Sequence, residues 1–258
     1  GLVLIFTSAI TLGSGGSAGR EGPIALIGAS AGSAIGKAIR LSARDLKVLT
    51  CCGVASGIAA TFNAPMGGAI FSMEVISKKF TSLDAVPILL AAVVGKAVAT
   101  ELIDPVPEFV NPNFYYTTFD MVLCFFIGPL FGFLSFLWVK GYYFFEDRFQ
   151  DLPLPDILKP AVGGLTAGVC GIFFFEFGIM GVGYEGINNV FMLAARAPAT
   201  DLLLLLLALG LLKMLATSST VGSGGSGGVF APTLYIGTMF GLAAGMLAEI
   251  LAPDQIAN

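Results

Sequence analysis

The sequence predicts an all-α polytopic membrane protein built as an inverted repeat of broken helices. Three observations carry that expectation. The 258 residues are 56% hydrophobic and only 12% charged, against about a quarter charged in an average soluble domain. Seven apolar stretches follow one another along the chain, some near the roughly 20 residues that a membrane crossing requires and some shorter or interrupted by Gly and Pro. Residues 13–28, GSGGSAGREGPIALIG, also align without a gap with residues 222–237, GSGGSGGVFAPTLYIG, at an offset of 209 and with nine of sixteen positions identical. Gly/Pro-interrupted apolar segments at matching points of two halves point to the substrate site of a transporter.

The apolar stretches are Leu2–Leu12, Pro23–Ile39, Val48–Ile76, Ala85–Ile103, Thr117–Phe145, Ile157–Phe177 and, with interruptions, Leu202–Leu251. Broken helices at membrane depth are tolerated only inside protein or beside a water-filled path. The Pro-rich linker Asp104–Asn113, DPVPEFVNPN, reads as the joint between halves. Residues 1–258 are then one transmembrane domain, with 1–105 the end of a first inverted half and 114–258 the start and middle of a second. Halves of equal length would place about 90 further residues before Gly1 and about 55 beyond Asn258, so the domain is expected to be incomplete at both ends. Basic residues cluster at Lys37, Arg40, Arg44 and Lys47, at Lys78 and Lys79, and at Lys140, Arg148 and Lys159. Two crossings separate successive clusters, which places all three on the cytoplasmic face of a cell membrane.

Composition also narrows the chemistry. There is no His, and the four cysteines lie in apolar segments without CxxC spacing, so neither a metal site nor a disulfide framework is expected. No nucleophile and base can be paired, so the protein is not expected to be an enzyme or to hold a cofactor. The net charge of −4 is small and scattered, which argues against nucleic-acid binding.

Each repeat offers a glycine-rich entry followed by Pro23 or Pro232 in the expected first turn of a helix, where a missing N–H removes no hydrogen bond. First-turn amides and the positive end of the helix dipole attract an anion without a full charge. Partial charges permit both entry and release. The expected ligand is therefore a small anion such as chloride. Lys213, the sole basic residue of its long apolar run, is the rival side-chain site; a backbone site predicts that anion binding survives its replacement. Glu21 lies inside one of the two helix starts. A carboxylate there costs about 2.5–3.5 kcal/mol on insertion scales and is a functional candidate by default. It either gates the anion by occupying its place until protonated, or it pairs with Arg20 or caps the helix. The ladders Gly28, Gly32, Gly36 and Gly237, Gly241, Gly245 lie beyond the motifs and read as helix-packing faces.

These residues carry a resemblance. Gly19–Pro23, GREGP, and Gly228–Pro232, GVFAP, resemble two selectivity-filter motifs of the CLC family of chloride channels and chloride/proton exchangers. Asn63–Val75, NAPMGGAIFSMEV, resembles the segment that follows the family's first filter helix. The resemblance implies inverted, tilted and partly broken helices, and a homodimer in the bilayer with one anion path per subunit. It implies an anion site at Gly19, Arg20, Gly22, Pro23, Gly228, Val229, Phe230, Ala231 and Pro232. Within that site Glu21 is the gate, the Val229 and Phe230 amides are donors, and Arg20 is a supporting basic residue at the outer mouth. The Phe230 ring either narrows the path or packs in the core. The resemblance further implies an earlier serine motif and a late tyrosine that residues 1–258 do not contain; none of Tyr115, Tyr116, Tyr142, Tyr143, Tyr184 and Tyr235 matches the latter.

One position departs from the exchanger pattern. Exchangers of the family commonly carry a second glutamate directly after the one matching Glu74, and here that position is Val75. Glu74 is expected to pair with Lys78 at helical i,i+4 spacing, worth about 0.2–0.5 kcal/mol. Val75 favours passive chloride conduction as the mechanism, with chloride/proton antiport through Glu21 as the alternative. A nonconducting membrane scaffold and an organic-anion carrier are the remaining rivals.

Overall fold

Residues 1–78, 81–103 and 117–251 are described by the computed structural model; the linker Asp104–Asn113, Lys79, Tyr115 and Tyr116 lie outside the described residues. The described residues form ten α-helices, one π-helical turn and one 3₁₀ turn, with an isolated antiparallel bridge as their only β-pairing. The chain divides into two units, Gly1–Ile10 with Arg20–Glu108, and Thr11–Gly19 with Phe109–Asn258.

The first unit is organised around one helix. It contains α1 (Leu2–Gly13, whose last residues belong to the second unit), α2 (Glu21–Ala38), α3 (Ala43–Phe62), α4 (Pro65–Phe71), a π-turn (Ser72–Ser77) and α5 (Ser82–Ile103). Helix α3 packs against α2, α4 and α5. Its start is capped by Ser42, whose Oγ accepts from the Asp45 amide at 3.2 Å, which satisfies one of the amides that a helix start leaves outside its own ladder. Its end is Asn63 at φ 53°, a left-handed position that Asn tolerates. Pro65 then opens α4, where proline removes no hydrogen bond. The single apolar stretch Val48–Ile76 is therefore two elements broken at Asn63–Ala64.

Helices α2 and α3 touch backbone to backbone. A Cβ added at Gly28 would fall on the Gly53 carbonyl, one at Gly53 on the Gly28 carbonyl, and one at Gly32 on the Leu49 carbonyl. The first glycine ladder is thus a packing face, as expected. Around it Cys51, Ala55, Ala59, Ala69, Ile88 and Ala92 form a core of small and medium side chains, and Ser72 donates to the Cys51 carbonyl at 2.7 Å.

The first basic cluster and Lys78 of the second gather at one end of this unit. Lys47 Nζ donates to the Ser77 carbonyl at 3.0 Å, and Arg44 pairs with Asp84 at 3.3 Å, so the end of α2, the start of α3, the end of the π-turn and the start of α5 adjoin. The expected Glu74–Lys78 helical pair does not form. Lys78 lies at φ 54°, beyond the π-turn, and a residue that has left the helix is not on the face that i,i+4 spacing assumes. Glu74 and Val75 are both exposed.

The second unit also has a central helix. It contains α6 (Thr118–Gln150), α7 (Lys159–Ile172), a 3₁₀ turn (Phe175–Phe177), α8 (Tyr184–Ala194), α9 (Ala199–Gly222) and α10 (Phe230–Leu251). Helix α9 packs against α6, α7 and α10. Helix α6 opens with a capping box in which Thr117 and Asp120 exchange side-chain and amide contacts. Its 33 residues span about 50 Å at 1.5 Å each, well beyond a hydrocarbon core of about 30 Å. At its far end Lys159 Nζ reaches the Gln150 carbonyl and the Asp156 carboxylate, both at 2.9 Å, and ties the turn into α7.

Helices α3, α5, α6, α9 and α10 are each long and apolar enough to cross a membrane. Large side chains such as Phe6, Phe125, Phe126 and Leu130 are exposed, which suits a surface solvated by lipid and not by water.

Candidate functional site

The two glycine-rich entries meet inside the second unit and bind each other reciprocally. The Ser17 amide donates to Thr220 Oγ1 at 3.1 Å, and the Ser226 amide donates to Thr11 Oγ1 at 3.0 Å. Ser17 aligns with Ser226 and Thr11 with Thr220 at the repeat offset, so one contact is the other with the copies exchanged. The same exchange relates the Gly16 amide on the Thr11 carbonyl, at 2.9 Å, to the Gly225 amide on the Thr220 carbonyl, at 3.0 Å. Gly15 and Gly224, also aligned, turn each loop at φ 93° and 103°, a backbone that glycine adopts at little cost. Gly19 and Gly228 close the arrangement by exchanging two bonds, at 2.6 and 2.7 Å. Reciprocal contacts of this kind define a local pseudo-two-fold relation, the signature of an inverted repeat.

A consequence for the donor set follows. The Gly19 and Gly228 amides bind each other's carbonyls and are removed from any anion site. Pro23 and Pro232 have no N–H to offer. Their effect is on the helix ladder, which begins only with Ile24 bonding to the Arg20 carbonyl at 3.0 Å and Thr233 bonding to the Val229 carbonyl at 2.9 Å. Backbone amides ahead of those residues lie outside the ladder at the positive end of each helix. In α10 these belong to Val229, Phe230 and Ala231; in α2, to Arg20, Glu21 and Gly22.

The two starts differ in what their side chains do. In α2 the N-cap residue is Arg20, whose side chain makes no capping bond. Glu21 follows as the first helical residue and is 3% exposed. At the aligned position of α10, Phe230 is 44% exposed, and Val229 beside it is 39% exposed. Phe230 is thus not among the buried residues of this chain. Ala231 and Pro232 are buried behind it, and Thr233 accepts the Trp138 indole N–H at 3.2 Å, fixing α10 to α6.

Lys213 is fully buried on α9, and its Nζ donates to the carbonyls of Gly178, Ile179 and Gly181 at 2.9, 3.1 and 3.0 Å. An ammonium has three N–H groups, and all three are engaged by protein. Lys213 therefore has no N–H left to present to an anion. Tyr235, inside α10, donates its hydroxyl to the Phe177 carbonyl at 2.6 Å, so it too is committed to the protein. Sequence reasoning missed these partners, and missed the exchange between Thr11 and Thr220. The signal for the second was present, since the threonines align at the repeat offset. For the first there was only an unexplained lysine in an apolar run. Among the described residues no cluster of His, Cys, Asp or Glu could hold a metal ion.

Comparisons with known proteins bear on the family and the fold. A family model described as voltage gated chloride channel matches residues 1–258. The H(+)/Cl(-) exchange transporter ClcA of Klebsiella pneumoniae is 33% identical over 94% of this chain and 52% of its own length. The voltage-gated ClC-type chloride channel ClcB of Escherichia coli is 29% identical over 98% of this chain and 59% of its own, and an uncharacterised protein of Methanocaldococcus jannaschii is 32% identical over 96% and 60%. The solved structure of a slow cyanobacterial Cl-/H+ antiporter superposes with a TM-score of 0.80 at 24% identity, covering 98% of this chain and 59% of that one. A CLC-type fluoride/proton antiporter gives 0.73 at 23%, covering 97% and 60%. The chain spans roughly half to three fifths of the length of these relatives.

Proposed function

Because the chain belongs to the voltage-gated chloride channel family, an integral multi-pass membrane family, we propose that it moves chloride across a membrane in exchange for protons. The carrying observation is Glu21, a carboxylate 3% exposed in the first turn of a broken helix. A carboxylate in a transmembrane segment is costly and is a functional candidate by default, and a helix start is also where an anion would be drawn. In this reading Glu21 occupies the anion's place when charged and yields it when protonated. Proton arrival and anion passage are then one event. The anion itself is held by α10 amides at Val229 and Phe230, with the exposed Phe230 ring beside them and Arg20 as a supporting charge. The reading also includes a homodimer with a second copy of the chain. The exchanger named ClcA and the two antiporter structures support exchange over passive flow.

Passive conduction is the second reading, and Val75 favours it. An inner acid after Glu74 is missing there, and the relative named ClcB is a channel. Purified protein in liposomes separates the two. With voltage clamped by a potassium ionophore, an outward chloride gradient drives protons uphill if transport is exchange. Chloride flux without proton movement selects conduction. No flux of either ion removes both.

A further inference from the structure

The turn at residues 176–181 directs its carbonyls toward side chains from three helices. Asn189 on α8 donates to the Glu176 carbonyl at 2.7 Å. Tyr235 on α10 takes the Phe177 carbonyl, and Lys213 on α9 takes those of Gly178, Ile179 and Gly181. Positive φ at Gly178 (68°), Gly181 (65°) and Gly183 (100°) is what turns this backbone, a conformation that glycine adopts at little cost. The Lys213 ammonium also lies 5.1 Å from the Tyr235 ring centroid. A Cβ at Gly183 would come within 3.0 Å of both Lys213 Nζ and Tyr235 Cδ2, so turn, lysine and tyrosine are in three-way contact.

A ring of carbonyls concentrates negative partial charge, as in a site for a monovalent cation. Here the cation is covalently attached. Three acceptors at hydrogen-bond distance match the three N–H groups of an ammonium. A neutral amine would turn a lone pair on one carbonyl, and a guanidinium has a planar fork that does not converge on a point. Tyr235 lies five residues into α10, about 7.5 Å along its axis from Phe230. It is fully buried, held by its hydroxyl at the turn and by its ring under the ammonium.

We propose that Lys213 is a positioning residue: a tethered monovalent cation that holds the 178–181 carbonyls together and, through Tyr235, fixes the first turns of α10 and the direction of the Val229 and Phe230 amides. The last step rests on the anion reading of α10 given above. In that role Lys213 governs how well the amides bind an anion without touching it.

The test uses Lys213→Ala, Lys213→Met and Tyr235→Phe in the detergent-purified protein, with thermal unfolding and chloride calorimetry as readouts. Lys213→Ala is expected to melt about 5 °C or more below wild type. Methylammonium chloride, compared with N-methylglucamine chloride at equal chloride, is expected to restore part of that loss. Lys213→Met fills the space without a charge and is expected not to respond. Chloride affinity in Lys213→Met is expected to fall about three- to thirtyfold with binding retained. Tyr235→Phe, which keeps the ring and removes one hydroxyl, is expected to shift both readouts the same way by less, and serves if Lys213→Met does not fold. Unchanged stability and affinity in Lys213→Met, or no methylammonium effect on Lys213→Ala, overturns the proposal. Complete loss of chloride binding at unchanged stability also overturns it and makes Lys213 the ligand. Methylammonium rescue in a protein whose wild type binds no chloride keeps the carbonyl cradle and overturns the anion reading of α10.

Discussion

At aligned positions of the two repeats, opposite chemistries take opposite places. Glu21 is acidic and buried; Phe230 is apolar and 44% exposed. The same reversal extends along the helices that follow. The ladder Gly28, Gly32, Gly36 on α2 lies against α3, with Gly28 and Gly53 in mutual backbone contact. On α10 an added Cβ at Gly237, Gly241 or Gly245 meets nothing within 4 Å among the described residues. Residues aligned with α3 would begin at 252, outside the described residues. Yet the entry loops preceding these helices are near copies, down to reciprocal threonine contacts. The backbone exchange between the two loops is symmetric, whereas the residues that open the two helices are not. An inverted repeat supplies two equivalent helix starts, and substitution then gives one a titratable group and leaves the other with amides.

Substitutions can break or sharpen this contrast in stability. The largest difference is expected between Gly28→Ala and Gly237→Ala. At Gly28 the new methyl meets a backbone carbonyl that cannot move aside, so a loss of about 1–3 kcal/mol or more is expected. At Gly237 the change is expected to be neutral or to gain up to about 1 kcal/mol from helix propensity. Equal losses, measured by thermal unfolding in detergent, would show that the two ladders are equally packed.

A smaller difference is expected between Gly15→Ala and Gly224→Ala. Both place a side chain at positive φ, costing about 1–3 kcal/mol. Gly15 should lose slightly more, because its Cβ would also meet Met180 Cε, whereas at Gly224 the nearest atom is Pro160 Cγ at 3.7 Å. Smallest of all, Thr11→Val and Thr220→Val each remove one reciprocal hydrogen bond, about 0.5–1.5 kcal/mol. Thr220 also donates to the Ala216 carbonyl at 2.8 Å, yet a satisfied i−4 bond within a helix adds little, so the two variants should match closely. A large inequality would mean that the loops are not held by exchange of the same contact.

Much of this was legible in the residues because it depends on local chemistry. Apolar runs located most of the helices, though not α8, which lies between the last two runs; Pro23 and Pro232 located two helix starts, and the repeat offset located the paired loops. Breaks inside apolar runs were less legible. Asn63 and Pro65 were the available signal for the break in Val48–Ile76, but nothing announced that residues 72–77 would form a π-turn, and so the Glu74–Lys78 spacing misled. At the candidate site, the identity of Glu21 was readable but its burial was not, since burial is set by packing. The mutual use of the Gly19 and Gly228 amides was also hidden, because it joins residues more than two hundred positions apart. Lys213 shows the same limit. Its charge was visible, while its three carbonyl partners come from a turn over thirty residues away.

The contrast between Glu21 and Phe230 can be decided in reconstituted protein by following chloride flux against pH for wild type, Glu21→Gln and Phe230→Ala. Gln keeps the shape of the protonated acid and cannot titrate. Flux through wild type and Phe230→Ala should vary with pH, and flux through Glu21→Gln should be independent of it, with no coupled proton movement. A Glu21→Gln protein that retained the full pH dependence of wild type would contradict the assignment of gating to that carboxylate.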